Sequence, residues 1–254
     1  MTRSDDEVAE AAAAAGAAVV RARYGEPLVR HAKSATDFAT DVDLAAERAI
    51  LDVLARERPA DARIGEEHGA SGDADGRRRW LVDPLCGTLN FAAETPLVAV
   101  NVALQVDGRT TVGVVVDPLT GDTWTTAAPP TPGAASTLVD INCDGPTDRP
   151  FVGGGLVADP ALRKAFGPRV LSTTLALAWV ADGRRAAYVT DGDGAALTRS
   201  VHFAAGIAVC RAAGCVVTDL RGAPLEGGRG LLVAADATTH AELVDLVRPH
   251  LGPA

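Results

Sequence analysis

The 254-residue chain is 47% hydrophobic, enough to bury a substantial core, which excludes a disordered or fibrous polypeptide. A formal net charge of −9 argues against nucleic-acid or anionic-membrane partners, and the two lysines among its 24 basic residues mark no basic patch. Charge interrupts every apolar stretch before it could span a bilayer, and the opening MTRSDDEVAE has acid where a signal peptide needs a basic then apolar run, so a cytoplasmic protein is expected.

In chain order, Val8, Ala11, Ala15, Val19 and Val20 fall at helical spacing and predict a helix from Asp6 to Arg23. A second helix is predicted from Val42 to Arg56, ended by Pro59. ARIGEE reads as a short strand leading into two acids. WLVDP reads as a strand that stops at Asp83, with Pro84 forcing a turn and the following Gly-Thr-x-Asn opening a helix. From Leu97 to Thr126 the alternation, with turns at Asp107-Gly108 and Thr120-Gly121, predicts an antiparallel meander. This half is α+β.

APPTPGAAS, Ala128 to Ser136, has linker composition and suggests one domain, 1–254, with lobes of about 1–127 and 136–254. Beyond it LRKAF and LALAWVAD read as helices and AAYVTD as a strand. VHFAAGIAVCRAAG reads as a buried helix closed by Gly214, CVVTDLRGAPL as a strand pair, GLLVAAD as a strand and ATTHAELVDLVRPHL as a last helix.

Five ordered motifs carry a resemblance. They are K-S-x-x-D (Lys33 to Asp37), T-D-x-D-x-x-x-E (Thr40 to Glu47), I-G-E-E (Ile64 to Glu67), V-D-P-L-x-G-T-x-N-F (Val82 to Phe91) and a late Ala-Ala-Gly helix. Together they resemble the inositol monophosphatase family over most of the chain. The resemblance implies a five-layered α-β-α-β-α sandwich, Mg²⁺-assisted hydrolysis of a phosphomonoester, and a homodimer, for which the meander's exposed edges also leave room. It places Glu66, Asp83 and the Leu85 carbonyl at a metal, Thr88 and Asp43 at the attacking water, and the backbone of Gly87 and Thr88, with Glu66, at the substrate; apart from the resemblance, Asp191 in the DGDG run is a further candidate to bind substrate. Such acids suit the reaction, since phosphoryl transfer to water needs cations held by hard oxygen ligands.

Two departures fall on one metal of that family. Cys86 stands where the resemblance implies an acid after Asp83-Pro84, and His202, in Val201-His202-Phe203-Ala204-Ala205-Gly206, stands where it implies another. Two acids that share a metal are neighbours, so their replacements are expected to be neighbours too. A thiol at a helix N-terminus has a lowered pKa, and a nearby imidazole can take its proton. The expectation is therefore a Cys86-His202 pair, oriented by Asp83 or Asp43. It would act on a small molecule in a specialised biosynthetic pathway, by cyclisation, isomerisation or transfer, with no cofactor and without the usual Mg²⁺-dependent phosphatase activity. The alternatives are a phosphomonoesterase of inositol or sugar phosphates with a reduced or altered site for Mg²⁺ or Zn²⁺, and a non-catalytic ligand-binding relative. Cys143 reads as an exposed loop thiol, and Cys210 and Cys215 as buried structural ones.

Overall fold

A computed structural model describes residues 3–34, 38–73, 76–132, 136–144 and 151–252. Asp37 of the first motif and 133–135 of the proline-rich stretch lie outside the described residues. The chain splits into two compact units: Met1–Ala128 with Thr173–Leu175 and Ser200–Ala208, and Pro129–Ser172 with Ala176–Arg199 and Val209–Ala254.

The first unit opens with α1 (Asp5–Arg23), started by a capping box in which Ser4 and Glu7 satisfy each other's backbone N–H groups. Its buried face is Val8, Ala9, Ala12, Ala13, Gly16, Ala17 and Val20, mostly side chains too small to hold a neighbour at a distance. β1 (Arg30–Ala32) and β2 (Phe38–Thr40) form an antiparallel pair, and α2 (Asp41–Glu57) follows from the N-cap Thr40. A six-stranded sheet is built from β3 (Ala62–Gly65), β4 (Gly69–Ser71), β5 (Arg78–Cys86), β6 (Ala99–Val106), β7 (Arg109–Val116) and β8 (Thr123–Thr125), with α3 (Thr88–Ala92) between β5 and β6. The order is β4-β3-β5-β6-β7-β8, and only β3 and β5 run parallel. The predicted meander is thus present, and Asp107 (φ 51°) and Gly108 (φ 77°) make the left-handed turn that suits strand twist. Trp80, Val82, Val100, Val102, Leu104 and Val114 of the sheet share one core with Val8, Ile50 and Leu54 of the helices. Each such side chain contributes about 1.5–3 kcal/mol by leaving water.

Pro84 does not end β5. The strand runs on to Cys86 through a register shift between Asp83 and Cys86. A proline has no N–H for the ladder and is tolerated where pairing is interrupted, and here the next N–H, of Leu85, bonds the Asp83 side chain instead (3.1 Å). The helix that follows is only the five residues of α3. Its cap, Gly87, has φ 102°, and a Cβ there would lie 2.8 Å from the Leu97 carbonyl, so glycine is required.

The second unit contains β9 (Leu138–Ile141), α4 (Val152–Ala158), α5 (Pro160–Ala165), β10 (Gly167–Val170), most of α6 (Leu175–Ala181), β11 (Ala187–Asp193), α7 (Gly194–Arg199), the end of α8 (Ala204–Ala212), β12 (Val216–Thr218), β13 (Arg229–Ala234) and α9 (Ala237–Val247). Its sheet has the order β10-β9-β11-β13-β12, with β9 parallel to β10 and β11 and β13 antiparallel to β11 and β12. CVVTDLRGAPL supplies one strand rather than a pair, because buried Asp219 accepts the N–H groups of Arg221 and Ala223 and folds the segment into a loop. The fold is α+β. Among the described residues, no helix is long and apolar enough to cross a membrane.

Candidate metal centre

Asp83 is the hub of the site, and the parallel pairing of β3 with β5 builds the first half around it. Gly65 lies opposite Val82, and the Glu66 N–H bonds the Val82 carbonyl (3.2 Å), so the residue after β3 is carried beside the residue after Val82. Asp83 is wholly buried; its Oδ2 accepts from Asn101 Nδ2 (3.3 Å) and pairs with His202 Nδ1 (2.8 Å). His202 lies in the turn just before α8 and does not begin the helix. α8 comes close to β7 because of Gly113, where a Cβ would stand 2.7 Å from the Ala205 carbonyl. The result is a cluster of Glu66, Asp83 and His202 with one ligand atom from each, all within 4.8 Å of one another.

Charge binds this cluster together. Lys33 Nζ holds one Glu66 oxygen (2.9 Å) and reaches Glu67 (2.6 Å), leaving Glu66 Oε2 3.8 Å from His202 Nδ1. Burial, then the Asp83 charge, push the Glu66 carboxyl up to about 7, against the pull of His202 and Lys33. Desolvation pulls His202 down, but the Asp83 charge, their hydrogen bond and Glu66 outweigh it and hold the imidazole up at about 9. Near neutral pH the ring is a cation, not the free base that the dyad required.

Beside the cluster, Thr88 Oγ1 lies 2.9 Å from Asp43 Oδ1 and 3.1 Å from the Leu85 carbonyl. Asp43 is the third residue of α2 and closes its capping box, accepting the Thr40 N–H (2.8 Å) and hydroxyl on Oδ2 while Oδ1 faces Thr88. One carboxylate therefore caps a helix and orders the threonine hydroxyl. Burial raises the Asp43 carboxyl, against hydrogen bonds from Thr40 and Thr88.

Cys86 and His202 are brought into one neighbourhood, as expected, but not as an acid-base pair. Cys86 Sγ accepts from the Thr174 N–H (3.3 Å) and lies 3.1 Å from the Thr174 hydroxyl, while His202 turns its Nδ1 to Asp83. Burial and the Asp83 charge drive the thiol well above its ordinary range, only partly offset by Thr174. The lowered pKa expected from a helix N-terminus does not arise, because α3 is one short turn and two carboxylates lie close by. Nor is Cys86 sulphur part of the ligand cluster among the described residues.

Asp191 lies in the second unit, at the end of β11, and its buried carboxylate is taken up by Arg229 through two bonds of 2.8 and 2.6 Å and by the Gly192 N–H (2.8 Å). The substrate role expected of it would have to coexist with this ion pair. Cys210 and Cys215 are buried, with their sulphurs directed to the carbonyls of Leu177 and Val180. Cys143 is half-buried against the second core rather than exposed. Sequence reasoning missed Asn101 and Thr174. Asn101 Nδ2 bonds both Asp83 and the Thr174 hydroxyl (2.9 Å), and that hydroxyl also reaches the His202 carbonyl (2.8 Å). A single Asn within the apolar run VAVNVAL was the available signal, since a buried polar side chain needs a partner.

The donor set fits a divalent cation. Two carboxylates and an imidazole already converge, and the Leu85 carbonyl, which has two lone pairs, belongs to a residue whose own N–H bonds the Asp83 side chain (3.1 Å). Comparison with known proteins shows the family. The inositol monophosphatase family model matches residues 1–131 and 153–251. The chain belongs to the inositol monophosphatase family. It is 31% identical over 237 residues to the Nus factor SuhB of Pasteurella multocida, covering 86% of this chain and 85% of that one. It is 32% identical over 232 residues to the probable inositol 1-monophosphatase ImpA of Mycobacterium tuberculosis, covering 85% and 83%. Among solved structures, the extragenic suppressor protein suhB of Bartonella henselae superposes with a TM-score of 0.82 at 24% identity, covering 97% and 98%, and an IMPase of Thermotoga maritima with 0.79 at 21%, covering 94% and 95%. Two expectations are corrected. Family and relatives point to a phosphatase-type protein instead of a Cys-His enzyme of a biosynthetic pathway, in line with the raised thiol and the protonated imidazole. The expected lack of a cofactor conflicts with the Glu66-Asp83-His202 cluster.

Proposed function

We propose that this protein is a phosphomonoesterase that hydrolyses inositol monophosphate or a similar sugar phosphate at an altered, His-containing cation site. The observation that carries the reading is the convergence of Glu66, Asp83 and His202 within 4.8 Å, with the hydrogen-bonded Thr88-Asp43 pair joined to Asp83 through Leu85. When bound, a divalent cation supplies neutralisation of the phosphoryl oxygens. The Thr88 hydroxyl donates a hydrogen bond to Asp43, so its oxygen can accept a hydrogen bond from the attacking water and, as that water attacks in line, take its proton while passing its own to the Asp43 carboxylate. The N–H groups of Gly87 and Thr88 serve the phosphate. The inositol part of the reading comes from the name of the M. tuberculosis relative.

The test is phosphate release from inositol 1-phosphate and glucose 1-phosphate by the untagged chain, with Mg²⁺ or Zn²⁺ added. Asp83→Asn and Thr88→Val are expected to lower kcat by about 100-fold or more, the range typical of lost proton transfer and positioning, while Thr88→Ser retains most of it. Wild-type protein that releases no phosphate with either cation would overturn the reading. A homodimer belongs to the same proposal; light scattering that gives the mass of one chain removes it.

A further inference from the structure

The candidate ligand atoms of the cluster are not all oxygen. We propose that His202 binds the cation directly through Nδ1, the cation displacing the Nδ1 proton to solvent, making a mixed nitrogen-oxygen centre with Glu66 and Asp83 that favours a borderline ion such as Zn²⁺ over Mg²⁺ more strongly than an all-carboxylate site does. This rests on the phosphatase reading of the same site and states which cation that site prefers.

The geometry supports it in three ways. His202 Nδ1 lies 2.8 Å from Asp83 Oδ2 and 3.8 Å from Glu66 Oε2. Ligands about 2.1 Å from one cation stand about 3.0–3.4 Å from each other, so these separations bracket what one ion imposes. The turn that carries the ring is also held, since the His202 backbone carbonyl lies 2.8 Å from the Thr174 hydroxyl and the His202 N–H bonds Ser200 Oγ (3.1 Å). Finally, the carboxylates are committed on their other sides, Glu66 Oε1 to Lys33 and Asp83 Oδ1 to the Leu85 N–H, which leaves Oε2 and Oδ2 as the oxygens turned to the imidazole.

The chemistry then sets the preference. Mg²⁺ demands near-octahedral oxygen ligands and gives up its waters reluctantly, whereas imidazole is a good ligand for Zn²⁺ and other late first-row ions. Cys86, the other departure, adds nothing to the affinity, because its sulphur is engaged with Thr174 and stands outside the ligand cluster among the described residues.

Any nitrogen-oxygen site binds Zn²⁺ more tightly than Mg²⁺, so the informative quantity is the ratio of the two affinities and how it changes. Calorimetric titration of the metal-free, untagged chain with Zn²⁺ and with Mg²⁺ alone, for wild type and His202→Asp, is expected to show the Zn²⁺/Mg²⁺ ratio falling at least tenfold in the variant, with Mg²⁺ binding strengthened. X-ray absorption at the zinc edge of the wild-type chain carrying one equivalent of Zn²⁺ tests the ligand without any variant, and is expected to show the outer-shell scattering of one imidazole. An oxygen-only shell, or a ratio unmoved by the substitution, overturns the inference and leaves the phosphatase reading standing. Failure of both cations to bind at one equivalent overturns both.

Discussion

Cys86 illustrates how neighbours decide what a side chain can do. In sequence a cysteine followed by Gly-Thr at a helix start reads as an activated nucleophile, yet in the fold its sulphur accepts from Thr174 and faces the negative field of Asp83 and Glu66. A thiolate there would add charge to a site that already carries two carboxylates, so the thiol stays protonated. Labelling with iodoacetamide near neutral pH is therefore expected to be slower at Cys86 than at a free thiol, and Cys86→Ser is expected to keep phosphatase activity within a few-fold. Fast labelling that falls on removal of His202 would restore the dyad and sink this account. The sequence did identify the residues that meet at the site, Glu66, Asp83, Thr88, Asp43 and His202. It could not give their protonation, because that depends on which oxygen faces which nitrogen, a matter of ångströms set by β3, β5 and the turn before α8.

At the scale of elements, the entry to α2 links stability to the site. Thr40 and Asp43 close its capping box, while Asp41 at its first position accepts from Arg23 (2.8 Å) on one oxygen and from the Val29 N–H (3.0 Å) on the other. The Arg23 hydrogen bond, then the Val29 N–H, hold the Asp41 carboxyl below its ordinary value despite some burial. A carboxyl lowered on folding contributes stability that is fully present above its unfolded pKa and is lost as pH falls through the folded one. Asp41→Asn is expected to cost about 1 kcal/mol at neutral pH, a modest figure because solvent screens the half-exposed pair. Urea midpoints of wild type and variant should differ by a constant amount from neutral pH down to about pH 5 and converge below about pH 4, where the unfolded aspartate protonates. A gap as wide at pH 3 as at pH 7 would refute the linkage. Periodicity found α1, α2, α9 and the meander because each has one long, regular apolar face. β1, β4 and β10 were not legible, being three or four residues long, and the β5 continuation was hidden because a bulge at a proline looks like a stop in sequence.

For the whole molecule, the site joins parts of the chain that only the fold brings together. Asp83 and His202 are 119 positions apart, and Glu66 and Lys33 are 33 apart, so an unfolded chain has no comparable arrangement of ligands. A cation that binds only the native state stabilises it by RT ln(1 + [L]/Kd), about 2.7 kcal/mol at a hundredfold excess over Kd. In a chain of this size each kcal/mol moves the melting temperature by roughly 2–4 °C, so the shift amounts to roughly 5–10 °C. Stripping the metal with a chelator should return the melting temperature to that of the metal-free chain, and Asp83→Asn should abolish the rise because it removes the charged hub of the cluster. The variant carries its own cost, since His202 would lose its buried partner; the comparison is therefore between each protein with and without cation, not between the two proteins. A melting temperature that moves equally in Asp83→Asn would mean that the cation binds elsewhere than at Glu66, Asp83 and His202, and one that does not move when Zn²⁺ is added in hundredfold excess over its measured Kd would mean that the unfolded chain binds the cation as tightly, so that no fold-assembled site holds it.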